Sequence, residues 1–160
     1  MAASRFLGGC AWIAAAAALA LAGCASVPQA SSGRDAQAKR FETHPRSATL
    51  YVYRDDFPVG SLYMQDSVLY LDNRLIGATL SRTYFRIDLR PGPHLLHGFA
   101  FDQGRLRLET RPGELHFVSL TVADGTSYFA EVRPEIARRE IARCCELLEN
   151  WAPGQRPLLH

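Results

Sequence analysis

Thr49-Leu50-Tyr51-Val52-Tyr53 decides the fold. Its five residues are β-branched, aromatic or aliphatic at both even and odd positions, so neither face of an extended chain would be polar. A strand apolar on both faces belongs in the middle of a sheet covered on both sides. Working outward, Val68-Leu69-Tyr70-Leu71 runs into Asp72-Asn73 and returns through Leu75-Ile76, a hairpin pattern. Phe85, Ile87 and Leu89 then alternate with Tyr84, Arg86 and Asp88. From His94 to Phe101 the residues Leu95, His97, Phe99 and Phe101 share one side. Leu106 and Leu108 alternate with Arg105, Arg107 and Glu109, and the runs Leu115 to Val122 and Tyr128 to Val132 complete the series. Pro91-Gly92, Gly104, Pro112-Gly113 and Asp124-Gly125 break it at intervals suited to turns. The pattern predicts a mainly β fold, a small antiparallel sandwich of about seven strands.

Past Glu135 the period changes. Ile136, Ile141, Cys145, Leu148 and Ala152 recur at helical spacing, Glu135 and Arg139 stand one turn apart, and Pro153-Gly154 ends the run. A short C-terminal amphipathic helix is expected, packed on one face of the sheet or over an edge, with a final strand as the alternative. The domain is therefore placed at 48–152, with a tail at 153–160. Upstream, residues 25–47 are rich in Ala, Ser, Gln, Gly and charge and poor in large apolar groups. Segments 24–47 are expected to form a flexible tether.

The first 23 residues are of another kind. Arg5 precedes a charge-free run over 6–23 that ends in Leu21-Ala22-Gly23-Cys24. A basic start, an apolar middle and small residues at the exit describe a cleaved secretory signal rather than a membrane span. The tetrad resembles the lipobox of bacterial lipoproteins. That resemblance implies cleavage before Cys24 and acylation of its sulfur and new amine. Each buried methylene contributes about 0.8 kcal/mol, and two or more chains anchor stably where one does not. Ala25 and Ser26 replace the Asp that retains many such proteins in the inner membrane, so the resemblance places the chain on the periplasmic face of the outer membrane.

Removing 23 of 160 residues leaves 137, enough for one domain with its own core. The formal charge of +2 falls to +1 with Arg5, which offers no electrostatic case for nucleic acid or an anionic surface. Lys39 is the single lysine beside seventeen arginines, a bias of genome composition rather than of phosphate recognition. Cys10 and Cys24 lie in the signal and at its exit, leaving Cys144-Cys145. Adjacent cysteines bond only through a small ring, because neighbouring Cα atoms stand about 3.8 Å apart and bridges prefer about 5.5 Å. A buried and a half-exposed thiol, a redox pair and an intermolecular bridge all remain open.

The segments Ala48 to Arg54, Val68 to Gly77, Tyr84-Phe85 and Pro91-Gly92-Pro93-His94, in that order, resemble the DUF2846 family of bacterial lipoproteins and PEGA-type β modules. The resemblance spans roughly 48–133, and Asn73 stands where Gly is usual. It implies a small membrane-anchored β-sandwich and carries no activity, cofactor or catalytic residue.

Candidate sites are few. His94 and His97, three apart on a strand, face opposite sides and cannot easily share a metal, although His94 could meet His116 if their strands were neighbours. Asp55-Asp56 falls short of the six oxygens calcium requires. Asp88 with Glu131 could do acid–base work, and Arg105, Arg107, Arg133, Arg138 and Arg139 could meet an anion; both sets also fit a solvated face. No nucleophile motif is present, and Cys144 has only Arg143 as a nearby pKa-lowering partner. No catalytic, cofactor or metal residue is assigned, and Cys24 is the one site residue, for lipidation. The expected function is non-enzymatic: a lipid-anchored module docking an envelope protein or cell-wall partner, with Tyr51, Tyr53, Tyr63, Tyr70 and Tyr84 as amphipathic contact groups, most of them expected in the core. The alternative is a small-ligand binder or weak hydrolase with a pocket at the sandwich end.

Overall fold

The computed structural model describes residues 28–55, 67–99, 104–123 and 126–150. The expected signal at 1–23, Cys24, Asp56, Tyr63 and the expected tail at 153–160 lie outside them. In chain order the elements are α1 (Ser32–Ala38), β1 (Ala48–Arg54), β2 (Ser67–Leu71), β3 (Arg74–Thr79), β4 (Thr83–Leu89), β5 (Gly92–His97), β6 (Arg105–Thr110), β7 (Leu115–Ala123), β8 (Thr126–Glu131), α2 (Pro134–Cys144) and β9 (Glu146–Leu147).

The fold is mainly β, two sheets packed as a sandwich with a short C-terminal helix. One sheet runs β8-β7-β1-β4-β9 and the other β3-β2-β5-β6. β1 is indeed central. It pairs antiparallel with β4 and parallel with β7, and none of its residues is more than 6% exposed. Among the described residues there are nine strands rather than about seven, and two pairings, β1 with β7 and β4 with β9, are parallel. β9 is only two residues long, too short to leave a period in the sequence.

Leu50, Val52, Phe85, Ile87, Val118 and Leu120 point between the sheets and meet Leu69, Leu71, Ile76, Leu96 and Leu108. The β2–β3 hairpin turns on Asp72 and Asn73 with φ of 51° and 61°. Both central residues are left-handed, as a type I′ turn requires, and Asn and Asp tolerate that region best after Gly. The expectation for β5 needs correction. The strand ends at His97, and Leu96, opposite Leu106, is its fully buried residue, while Phe99 is exposed. In a strand where both faces carry apolar groups, alternation alone does not identify the inner one.

The other face of the five-stranded sheet carries Tyr51, Tyr53, Tyr84 and Phe117, covered by α1 and α2 through Ala38, Ala137 and Ile141. The expected tether is thus corrected over its described part. Residue 28 onward is folded: Gln29 bridges Leu148, the Ala30 N–H donates to Leu147 O at 2.9 Å, and α1 lies against the sheet. A seven-residue helix is marginal alone. This one is held from outside, by Tyr51 Oη donating to Ala38 O at 2.7 Å and Tyr84 Oη to Asp35 Oδ1 at 3.0 Å. The C-terminal helix is shorter than its apolar period. Cys145 is extended, with φ −123°, and the chain continues as β9.

Candidate functional site

β1 ends beside α2, and the two elements with β7 enclose a cleft of about 370 Å³. Tyr53, Asp55, Ser119, Thr121, Ile136 and Glu140 are among its walls. Tyr53 points to this side because it has the parity of Tyr51, not of Leu50 and Val52. Its hydroxyl donates to Glu140 Oε2. Burial pushes the Tyr53 hydroxyl well above its ordinary value, and the Glu140 carboxylate that accepts its proton adds to the shift. Tyr84 is raised in the same way, by burial and then by Asp35. Burial also raises Tyr51, against the opposing charge and hydrogen bond of Arg86. All three are phenols that hold their protons, which suits them to donating hydrogen bonds and not to acting as bases.

On the wall of the cleft Asp55 takes the Arg143 guanidinium at 3.1 Å. Cys144 and Cys145 are disulfide-bonded, and both sulfurs lie within 4.8 Å of the Asp55 carboxylate. The Cys145 disulfide sulfur packs on Arg54 O at 3.8 Å, and Arg82 Nε donates to Cys144 O at 3.3 Å. The corner thus joins residues between 62 and 91 positions apart.

The other candidates do not assemble. His94 and His116 stand on different sheets, in β5 and β7. His94 sits between Asp72 Oδ2 and Arg90 O, each at 2.7 Å, and secures the end of the β2–β3 hairpin. His97 stacks on Tyr70 with centroids 4.9 Å apart, and His116 meets Glu114 at 3.2 Å. Asp88 accepts from Thr49 Oγ1 at 2.8 Å and pairs with Arg86. Glu131 lies on β8, separated from β4 by β7 and β1. Arg105 and Arg107 belong to one sheet, while Arg138 lies over the rings of Phe41 and Phe117 outside the other, at 5.7 and 5.9 Å. No single basic patch forms from them. Tyr51, Tyr53 and Tyr84 are core residues, so the exposed large apolar groups among the described residues are Phe99 and Tyr128. Sequence reasoning missed Glu140 and Ser119, which carry no local motif. It named Arg143 beside Cys144 but Asp55 apart from both, and had no signal joining the three.

Among the described residues no helix is long and apolar enough to cross a membrane. An uncharacterized protein of Haemophilus influenzae is 32% identical to this chain over 103 residues, 63% of this chain. The chain spans about 60% of the length of that relative. No protein-family model and no solved structure matches the chain.

Proposed function

We propose that this chain is a lipid-anchored protein of the periplasmic face of a bacterial outer membrane, whose β-sandwich docks an envelope protein or cell-wall partner without catalysis. The observation that carries the reading is Leu21-Ala22-Gly23-Cys24 closing a charge-free segment, four residues before Pro28, where the described residues begin. Four residues span at most about 14 Å. Pro28 O accepts from the Glu149 N–H at 2.9 Å, and Arg34 pairs with Glu149, so the start of the domain is fastened to its end. An acylated Cys24 would hold the sandwich against the bilayer surface, where it meets partners at the membrane rather than by reaching.

The test is purification of the full-length protein from detergent-solubilised membranes after brief in-cell crosslinking, beside Cys24→Ala. Expected are an acyl mass on Cys24, outer-membrane fractionation lost in Cys24→Ala, and a stoichiometric envelope partner captured only by the anchored form. An unmodified Cys24, or a Cys24→Ala protein still in the membrane, would overturn the anchor. The absence of any partner would turn attention to the second reading. That reading, a small-ligand binder or weak hydrolase, is favoured by the cleft at Tyr53, Ser119 and Glu140.

A further inference from the structure

We propose that the Cys144–Cys145 corner is a redox-gated site for a thiophilic divalent cation such as Zn²⁺. Once the disulfide is reduced, two thiolates and the Asp55 carboxylate bind the ion together. The inference does not depend on the membrane reading. It rests on a convergence of β1 and α2: β1 delivers Asp55 one residue past its end, and α2 stops so that both cysteines reach it.

Ligand spacing supports the assignment. Zinc takes thiolate at about 2.3 Å and carboxylate oxygen at about 2.0–2.2 Å, so neighbouring ligands of a tetrahedral ion stand roughly 3.3–3.8 Å apart. The two sulfurs and a carboxylate oxygen all lie within 4.8 Å of one another. Breaking the bond between the sulfurs frees them to part to about 3.8 Å by side-chain rotation, with the carboxylate drawn in to the same spacing. The backbone around them is fixed independently of the sulfur–sulfur bond. The Cys145 N–H donates to Ile141 O at 3.1 Å, the Glu146 N–H to Arg82 O at 3.0 Å, and Cys144 O accepts from Arg82. Charge also balances. Two thiolates and a carboxylate leave one negative charge around a divalent ion, and the Arg143 guanidinium already on Asp55 supplies the positive one. Three protein ligands leave the fourth corner for water, beside a cleft that Asp55 itself lines.

Opening the site takes two electrons and two protons. A dithiol donor attacks Cys144, the less buried residue of the pair, and the Cys144–Cys145 bond breaks. The donor leaves as its own disulfide, and both cysteines become thiols. The cation then displaces two thiol protons as it binds. Oxidised protein cannot bind it this way.

The probe is Cd²⁺ alone, which takes the same ligands and gives a thiolate-to-metal absorption in the near ultraviolet. Full-length protein carrying Cys10→Ser and Cys24→Ser, so that Cys144 and Cys145 are its only cysteines, is titrated before and after a trialkylphosphine, which takes up oxygen from water as it converts the disulfide to two thiols. We expect no band in oxidised protein, one equivalent of band-forming Cd²⁺ after reduction, and displacement by Zn²⁺. Cys144→Ser/Cys145→Ser should abolish the band, and Asp55→Asn should keep it with affinity lowered roughly tenfold or more. A reduced protein without the band, or a band that survives the double substitution, overturns the site. Unchanged affinity in Asp55→Asn removes the carboxylate from it. Should the double variant fail to fold, as read by far-ultraviolet circular dichroism, Cys144→Ser alone must lower Cd²⁺ affinity for the proposal to stand.

Discussion

The two faces of the five-stranded sheet are built on different principles. Toward the second sheet, β1 and β4 present Leu50, Val52, Phe85 and Ile87, side chains with no polar atom. Toward the helices the same strands present Tyr51, Tyr53 and Tyr84, and each hydroxyl is bonded: to Ala38 O, to Glu140 and to Asp35. The first face is held by area removed from water, about 25 cal/mol per Å². The second adds directed bonds that tell α1 and α2 where to sit. Asp35 illustrates this. Its carboxylate accepts from Tyr84 and from the Leu147 N–H and pairs with Lys39, tying α1 to β4 and β9 at one point. An aliphatic face makes the domain stable, and a hydroxyl-tipped face makes the segment leading into it part of the domain.

The largest contrast comes from truncating the aliphatic face. Leu50 is fully buried at the centre of β1. Leu50→Ala should lower the free energy of unfolding by about 2–5 kcal/mol, read by urea denaturation. A loss comparable to that of a hydroxyl deletion on the opposite face would mean that the faces do not differ in kind. Overfilling is the converse test. A Cβ on Gly77 would stand 3.1 Å from Phe85 Cζ, so Gly77→Ala forces that ring to shift within the sandwich. We expect a loss of roughly 1–3 kcal/mol in the same assay.

How far each face can be read from sequence follows from the same difference. The aliphatic face is legible because alternation is its whole content: Phe85, Ile87 and Leu89 declare both their strand and their side. The central place of β1 is legible for the same reason, as apolar parity on both faces. The helix-covered face is only half legible. Tyr51 and Tyr53 announce burial but not what buries them. The partner, Ser32–Ala38, reads as polar and Gly-containing, because its stability comes from tyrosine hydroxyls and Asp35 rather than from its own apolar period. The corner of Asp55, Cys144 and Cys145 was illegible for a topological reason. Its members meet only because α2 returns over β1, and no spacing in the sequence encodes that return.

Alkaline pH should also separate the two faces. Tyr53 and Tyr84 have folded-state pKa values raised above the ordinary value near 10. The folded state therefore binds their protons more tightly than the unfolded chain does. This stability is fully present below about pH 10 and is lost as pH rises from there toward the folded values. Each tyrosine contributes up to about 1.4 kcal/mol per pH unit in that window. Urea midpoints should fall above pH 10 in the wild type, and less steeply in Tyr53→Phe. A parallel fall in both proteins would remove Tyr53 from the cause.

The smallest change, Tyr84→Phe, makes the sharpest distinction. It keeps the ring and its packing against Tyr51, centroids 6.1 Å apart, and deletes only the bond to Asp35. The expected cost is about 1.5–3 kcal/mol, the range for a hydrogen bond to a charged acceptor. Its location matters more than its size. With Asp35 released from β4, amide hydrogen exchange should accelerate in Ser32–Ala38 and at Leu147, whose N–H donates to the same carboxylate. Exchange in β2 and β5, on the far sheet, should be unchanged until global unfolding. A uniform acceleration would show that Tyr84 merely stabilises the domain. A local one would show that its hydroxyl fastens the entering segment to the sandwich, as the geometry of Asp35 requires.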